Sequence, residues 1–513
     1  MSESWDETAD VVVVGFGAAG ACAAIEAADA GARVLVVDRF GGGGATAISG
    51  GVVYAGGGTR QQRAAGVGDT PEAMFDYLRE EAGDAVSART LRRFCERSAG
   101  LIDWLTGLGV PFDARLCPYK TSYPTNRHYL YYSGSETLSA SPAPRGHRVL
   151  ARGTSGRVLA ARLAAAARAR GVPLLAQTRA ERLLTDADGR VTGLECRTLR
   201  RAPAWARLAH RVLHKWSVKP GVYLPALGRA LHRPVAGLER RYGRPLRVGA
   251  ARGVVLAAGG FVFDREMMRT HAPEYRGGLR LGTPGDDGSG IRLGVAAGAA
   301  TAHLDRVTVW RFLTPPSAML KGLLVDRDGR RVCDESRYGA AVGEAILRSP
   351  DGRAWLLLDA AVRAECRRQV REQTLWFQRW QAWWLLAVDR VTGPTPEAVA
   401  RRAGVDPAGL AATLAASGKG LTSPPYAMID VSVRNRTAVP APMLTLGGLR
   451  VDEDTGQAVR ADGEGVPGLY AAGRTAVGIC SHSYVSGLSL ADCVFSGRRA
   501  GRSAADQHSL SSR

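Results

Sequence analysis

Short uninterrupted apolar runs alternate along this chain with longer stretches of helical spacing, and glycines stand where one gives way to the other. Residues 11–14 are four consecutive valines, apolar on both faces, which is the pattern of a strand buried in a parallel sheet. An Ala-rich helix over 21–31 and a second strand over 33–37 are predicted to follow. Residues 70–108 read as mainly helical, with Thr70 and Pro71 as cap and first turn. The polar, tyrosine-rich stretch 117–133 reads as loop. Another Ala-rich helix is predicted over 155–170, then strands over 174–198 around a turn at 186–190. Trp205, Leu208, Val212, Leu213 and Trp216 fall at helical spacing, and residues 253–260 form a second short apolar strand ending in paired glycines. From about 306 to 434 the glycine punctuation stops, and helices there carry Trp376, Trp380, Trp383 and Trp384. It resumes at Gly447 and Gly448 and at the strand 468–473, before a last helix from about 488 to 505. The pattern is that of an α/β protein with a second domain inserted in the first. The predicted boundaries are 1–305 and 435–513 for the two parts of the first domain, the former with a basic, tryptophan-containing insertion at 200–252, and 306–434 for the insert.

A chain of 513 residues with 45% hydrophobic content can bury a large core and exceeds one ordinary domain. No apolar run reaches the ~18–20 residues of a spanning helix. The N-terminus is acidic and lacks the apolar segment of a signal peptide. Eight scattered cysteines give neither metal-ligand spacing nor a disulfide framework, so no metal site is expected and a reducing cytoplasm is the expected compartment. The formal charge of +20 comes almost wholly from arginine, and no recognised nucleic-acid motif accompanies it, so no nucleic-acid partner is expected. Part of the charge is concentrated. Residues 200–252 hold thirteen Lys/Arg against one acid, Glu239, with the tryptophans 205 and 216 among them. Two readings stay open for this stretch: a peripheral contact with the inner face of a membrane, or a helix packed on its own protein with a solvated basic face.

Candidate chemistry begins at Gly15, Gly17 and Gly20, which have G-x-G-x-x-G spacing between the valine strand and the helix opened by Ala18 and Ala19. In that arrangement the first glycine allows the tight turn and the second lets a pyrophosphate approach the backbone. The third allows close helix–strand packing, with the phosphates at the positive end of the helix. Asp38 ends the second strand, where a carboxylate can bind ribose hydroxyls, and Arg39 follows it. Residues 41–51 are glycine-rich, so main chain can lie against a flat ligand at Gly44, Ala45, Gly50 and Gly51, while Thr46 and Ser49 offer hydroxyls.

The ordered set of these motifs, with Gly259 in Ala-Ala-Gly-Gly-Phe, Asp287-Gly288, Leu446-Gly-Gly-Leu449 and Tyr470-Ala-Ala-Gly473, resembles the fumarate reductase/succinate dehydrogenase flavoprotein family, which includes the 3-ketosteroid dehydrogenases. The resemblance implies a Rossmann-like FAD-binding domain with an inserted α+β catalytic cap domain, and FAD as cofactor. It adds Asp287, Gly473, Arg474, Ser489 and Leu490 as cofactor contacts; relatives often carry Glu where this chain has Arg474. Covalent members attach FAD through a histidine near the glycine-rich loop, and residues 43–51 contain none, so the FAD is expected to be non-covalent. Dicarboxylate reductases carry a histidine where this chain has Leu444, and no arginine stands in 481–487, so a dianionic substrate would lack its charge-assisted partners. The stretch 483–492 is instead similar to that of the 3-ketosteroid Δ4-(5α)-dehydrogenases, which implies Tyr484, Ser486 and Tyr338 as catalytic residues. Tyr484 would hydrogen-bond the ketone oxygen, Ser486 relayed by Tyr338 would take the α-proton, and the β-hydride would pass to flavin N5. The implied substrate is an apolar ketone of steroid type, with the electron acceptor unassigned. The alternatives are another α,β-desaturation or its reverse on an apolar ketone, including Δ1 chemistry, fumarate reduction, or a non-enzymatic membrane- or nucleic-acid-binding flavoprotein.

Overall fold

The computed structural model describes residues 4–275, 278–388, 390–433 and 441–507. The valine run lies in strand β1 (Glu7–Val14), which turns through Gly15 into helix α1 (Ala18–Asp29) and returns as β2 (Val34–Val37). β1 and β2 pair in parallel, Val11 with Val34 through Val14 with Val37, so every valine of the run is buried between layers. The strands Leu174–Leu175, β3 (Thr178–Thr185) and Val191–Thr198 follow. A helical hairpin, α2 (Ala204–Tyr223) and α3 (Pro225–Tyr242), then leads into β4 (Arg244–Leu256).

That long strand corrects the sequence reading of 200–252. Its first half alternates, with Leu246, Val248 and Ala250 buried, and its second half, Val254–Leu256, is buried throughout. β4 pairs in parallel with β1 and antiparallel with Val191–Thr198, so residues 244–252 belong to the central sheet and only the hairpin protrudes. β5 (Gly465–Ala471) pairs in parallel with β4, and α4 (Leu488–Asp506) crosses α1 closely. The eight-stranded sheet thus places the turns after β1, β2, β4 and β5 at one edge, the carboxyl ends of its parallel strands. Ligands of open α/β sheets bind at that edge.

Residues 313–433 build a hydrophobic cluster of their own around the antiparallel strands Leu323–Val325, Trp355–Leu358, Tyr426–Asp430 and Arg390–Gly393. This is the α+β cap inserted in the Rossmann-like domain. The expected boundary at 434–435 lies outside the described residues. Trp376, Trp380 and Trp384 do not enter this core: they lie one turn apart on helix Trp376–Ala387 and are all exposed, while Ala382 and Leu386 face inward.

Candidate functional site

A cavity of about 620 Å³ runs along the carboxyl edge of the sheet. Gly15, Gly17, Ala18, Ala19, Asp38, Arg39, Gly44, Ala45, Thr46, Gly259 and Arg474 all line it, although they come from five separate segments. Gly15 has φ +97°, and a Cβ there would stand 2.5 Å from the Ala257 carbonyl oxygen, so the turn admits only glycine. Gly20 faces away from the cavity and lets α1 close on β1, where a Cβ would lie 1.9 Å from the Gly15 carbonyl oxygen. Gly17, the N-cap of α1, has no side chain to cap the helix; Thr46 Oγ1 accepts the Ala18 N–H at 3.0 Å. The other N–H groups of the first turn are left for a ligand, as at an anion-binding helix terminus. Asp38 accepts backbone N–H groups of Phe16, Phe40 and Gly42 and so also shapes the turn beside it.

The remaining expected contacts are placed differently. Asp287 pairs with Arg39 at 2.8 Å, and its neighbour Asp286 lines the cavity, pairing with Arg474 at 2.6 Å. Arg474 is largely buried and its Nη1 has no hydrogen-bond partner among the described residues. The Ser49 hydroxyl donates to the Thr46 carbonyl, the Gly50 carbonyl accepts from the hydroxyls of Tyr123 and Ser155, and Gly51 packs against Ser155 and Gly156. Gly473 donates its N–H to Ser496 Oγ, and Ser489 and Leu490 form the first turn of α4.

A second cluster stands beside the cavity, with Leu281 in the cluster and Thr283 in the cavity wall. Tyr338, Tyr484 and Trp310 meet there, ring centroids 6.4 Å apart for the tyrosines and 5.1 Å for Trp310 and Tyr484, with Leu444 packed among them. Burial and the neighbouring Tyr484 push the Tyr338 phenol far above its ordinary pKa, and the Ser486 hydroxyl pulls it back. Burial raises Tyr131 in the same way, again opposed by Ser486. The Tyr131 hydroxyl has no hydrogen-bond partner among the described residues. Tyr484 is raised by burial too, so all three stay protonated at neutral pH. Tyr338 and Tyr484 meet across about 150 residues of sequence, and Ser486 stands two residues beyond Tyr484.

Asp286, Trp310, Tyr131 and His214 were not assigned to the site from sequence. Asp286 stands beside Asp287, an equal candidate in sequence, and Tyr131, which the structure places in a short strand, is one of five tyrosines in the stretch 117–133. His214 lies one turn after His210 on the side of α2 facing the sheet, a spacing hidden by the more conspicuous tryptophans.

Residues 10–488 match the family model described as FAD binding domain. The chain is 37% identical to the 3-oxo-5-alpha-steroid 4-dehydrogenase of Comamonas testosteroni, over 91% of this chain and 93% of that one. Its structure is similar, with a TM-score of 0.81, 32% identity and 98% coverage of both chains, to 3-ketosteroid-Δ4-(5α)-dehydrogenase from Rhodococcus jostii RHA1 in complex with 4-androstene-3,17-dione. A more distant likeness, 23% identity over 97% of this chain and 77% of the relative, joins it to the fumarate reductase (cytochrome) of Shewanella frigidimarina.

Proposed function

The chain belongs to the FAD binding domain family and is an FAD-dependent oxidoreductase, and from that premise we propose that it desaturates a 3-ketosteroid next to the ketone, as a Δ4-(5α)-dehydrogenase. One observation carries the reading: the phenols of Tyr338 and Tyr484 meet, with Ser486 two residues from Tyr484, in a wall otherwise made of Trp310, Leu281 and Leu444. An apolar ring system with one ketone suits such a wall. A dicarboxylate does not, because Leu444 and its neighbours offer no charge to pair with it. The relatives in Comamonas and Rhodococcus support the same substrate class.

FAD fits the cavity. The helix terminus at Ala18 is uncapped by its own N-cap residue, Gly15 and Gly259 permit close approach of main chain, and the buried Arg474 keeps an unpaired N–H group toward the space. We infer that it is held without a covalent bond, since residues 43–51 contain no histidine. Bound FAD supplies the two-electron acceptor for the hydride that leaves the substrate β-carbon. The chain's own residues handle the proton and the charge. Tyr484 donates a hydrogen bond to the ketone oxygen, which stabilises the enolate that forms as the α-proton leaves. Ser486 takes that proton as its own passes to Tyr338, and Tyr338 in turn gives up its phenol proton to solvent, so that both hydroxyls end the step neutral; an isolated serine hydroxyl is too weak a base without such a partner. The unpaired N–H groups at the start of α4 add positive potential at the same place.

Anaerobic mixing with a panel of saturated 3-ketosteroids tests the proposal. Bleaching of the flavin absorbance by 5α-reduced 3-ketones is the expected result, with the 4-ene as product. Bleaching only by 4-ene-3-ketones would assign Δ1 chemistry instead, and bleaching by none would defeat the reading.

A peripheral membrane contact belongs to the same proposal. No helix among the described residues is long and apolar enough to cross a membrane. Yet Trp205, Leu208 and Val212 of α2 are exposed, and so are the tryptophans of helix Trp376–Ala387.

A further inference from the structure

The inner face of the α2–α3 hairpin carries a polar cluster beside its buried apolar residues Ala206, Val218 and Val235. Arg39 donates from Nε and Nη2 to both carboxylate oxygens of Glu239, each at 2.9 Å, and from Nη1 to Asp287. His210 bridges Glu239, at 3.1 Å, and the side chain of Gln177, at 3.0 Å. Glu239, the only acid of the basic stretch, is therefore the buried joint between hairpin and sheet. Burial pushes its carboxyl up, but the hydrogen bonds from His210 and Arg39 outweigh this and bring its pKa down to about 2.

Next to this joint, the rings of Phe40 and His214 stack with centroids 3.6 Å apart and an interplanar angle of 3°. Both line the cavity, together with Lys215 and Val218 of α2 and Thr178 and Arg179 of β3. The Nδ1 atom of His214 is buried and has no hydrogen-bond partner among the described residues. This end of the cavity adjoins Arg39 and Phe40, which follow Asp38 at the end of β2, where a dinucleotide places its ribose and base. A flat paired-ring wall, an unpaired ring nitrogen and a cation suit an adenosine diphosphate.

We propose that the helical hairpin is a clamp on the adenosine diphosphate half of FAD, latched to the sheet by the Arg39–Glu239 pair and touching the ligand through His214. The clamp rests on the reading of this cavity as the FAD site. The hairpin then has two separate surfaces: a polar inner face that retains the cofactor, and an outer face that carries Trp205 and Leu208.

The test measures cofactor retention and not turnover. FAD release from the diluted holoenzyme is followed by the rise of free-flavin fluorescence, and ADP binding to the flavin-stripped full-length chain by calorimetry. Glu239→Gln opens the latch, and His214→Ala removes the contact while leaving the latch in place. Each is expected to release FAD about tenfold faster and to weaken ADP by about the same factor, while FMN affinity stays that of the wild type. FAD release at the wild-type rate in both variants would overturn the clamp. So would faster release with unchanged ADP affinity, or an equal loss of FMN and ADP affinity, because the hairpin would then only support the fold. Wild type that takes up no FAD would defeat the cavity assignment as well, which distinguishes that failure from failure of the clamp alone.

Discussion

A phenol surrounded by Trp310, Leu444 and a second phenol is costly to ionise, and Tyr484 therefore remains a hydrogen-bond donor across the range in which the enzyme works. In the proposed mechanism, donation from Tyr484 to the ketone oxygen would strengthen as that oxygen gains charge, and so would favour the transition state over the bound substrate. Tyr484→Phe keeps the ring and its packing and removes only the donor. Its turnover is expected to fall by roughly 10²–10³, with the visible spectrum of bound flavin unchanged; turnover near that of wild type would take Tyr484 out of the mechanism. The residues of this cluster were legible unequally. Tyr484 and Ser486 stand in a recognisable stretch. Trp310 and Tyr131 do not, because a buried aromatic in a core and one beside a substrate look the same along a chain. Arg474 shows the limit from the other side: the sequence marks it as a departure, and only the structure supplies Asp286 as its counter-charge.

Among the elements, the contact between α1 and α4 controls how the cofactor edge is built. Gly497 and Gly501 let α4 lie directly on α1, where a Cβ at Gly501 would meet the Ala23 carbonyl oxygen at 2.1 Å and one at Gly497 the Ala19 carbonyl oxygen at 2.4 Å. The start of α1 lies at the cavity and the start of α4 follows Ser486, so separating the helices displaces both halves of the proposed site at once. Gly501→Val is expected to lower stability by ~1–3 kcal/mol or more, the usual cost of overpacking, and to lower FAD occupancy with it. A thermal melt and a flavin-to-protein absorbance ratio equal to those of wild type would refute the close-contact argument. The β1–α1–β2 unit was readable because its periodicity, glycines and terminal acid agree with one another. β4 was not, because Arg247 and Arg252 interrupt its apolar run and the surrounding charge drew it into the supposed insertion. In the hairpin the apolar spacing marks a helix, but part of the inward face belongs to His210, His214 and Glu239, which partner the chain's own Arg39 and Phe40 and carry no apolar signal.

At the scale of the whole molecule, a formal charge of +20 meets a set of exposed aromatic side chains, and the combination favours an anionic lipid surface. Trp376 and Trp380 are 73% and 78% exposed and Trp205 is 57% exposed, more than burial against their own protein would leave. Tryptophan prefers the boundary between headgroups and acyl chains, and each nearby Lys or Arg adds ~1 kcal/mol on an anionic leaflet. A steroid partitions into the same layer, so a docked enzyme would collect substrate where it is most concentrated. Trp216 is left out of the test because it also lines the cofactor cavity, and its loss would confuse lipid binding with flavin retention. The wild type is expected to sediment with phosphatidylserine-containing vesicles and not with neutral ones, and to come off as salt screens the charges. Trp376→Ala/Trp380→Ala and Trp205→Ala/Leu208→Ala should each reduce sedimentation while leaving turnover of dissolved steroid as it was. Sedimentation that depends on salt but not on these side chains would mean that the basic surface binds any polyanion, and the exposed tryptophans would need another partner.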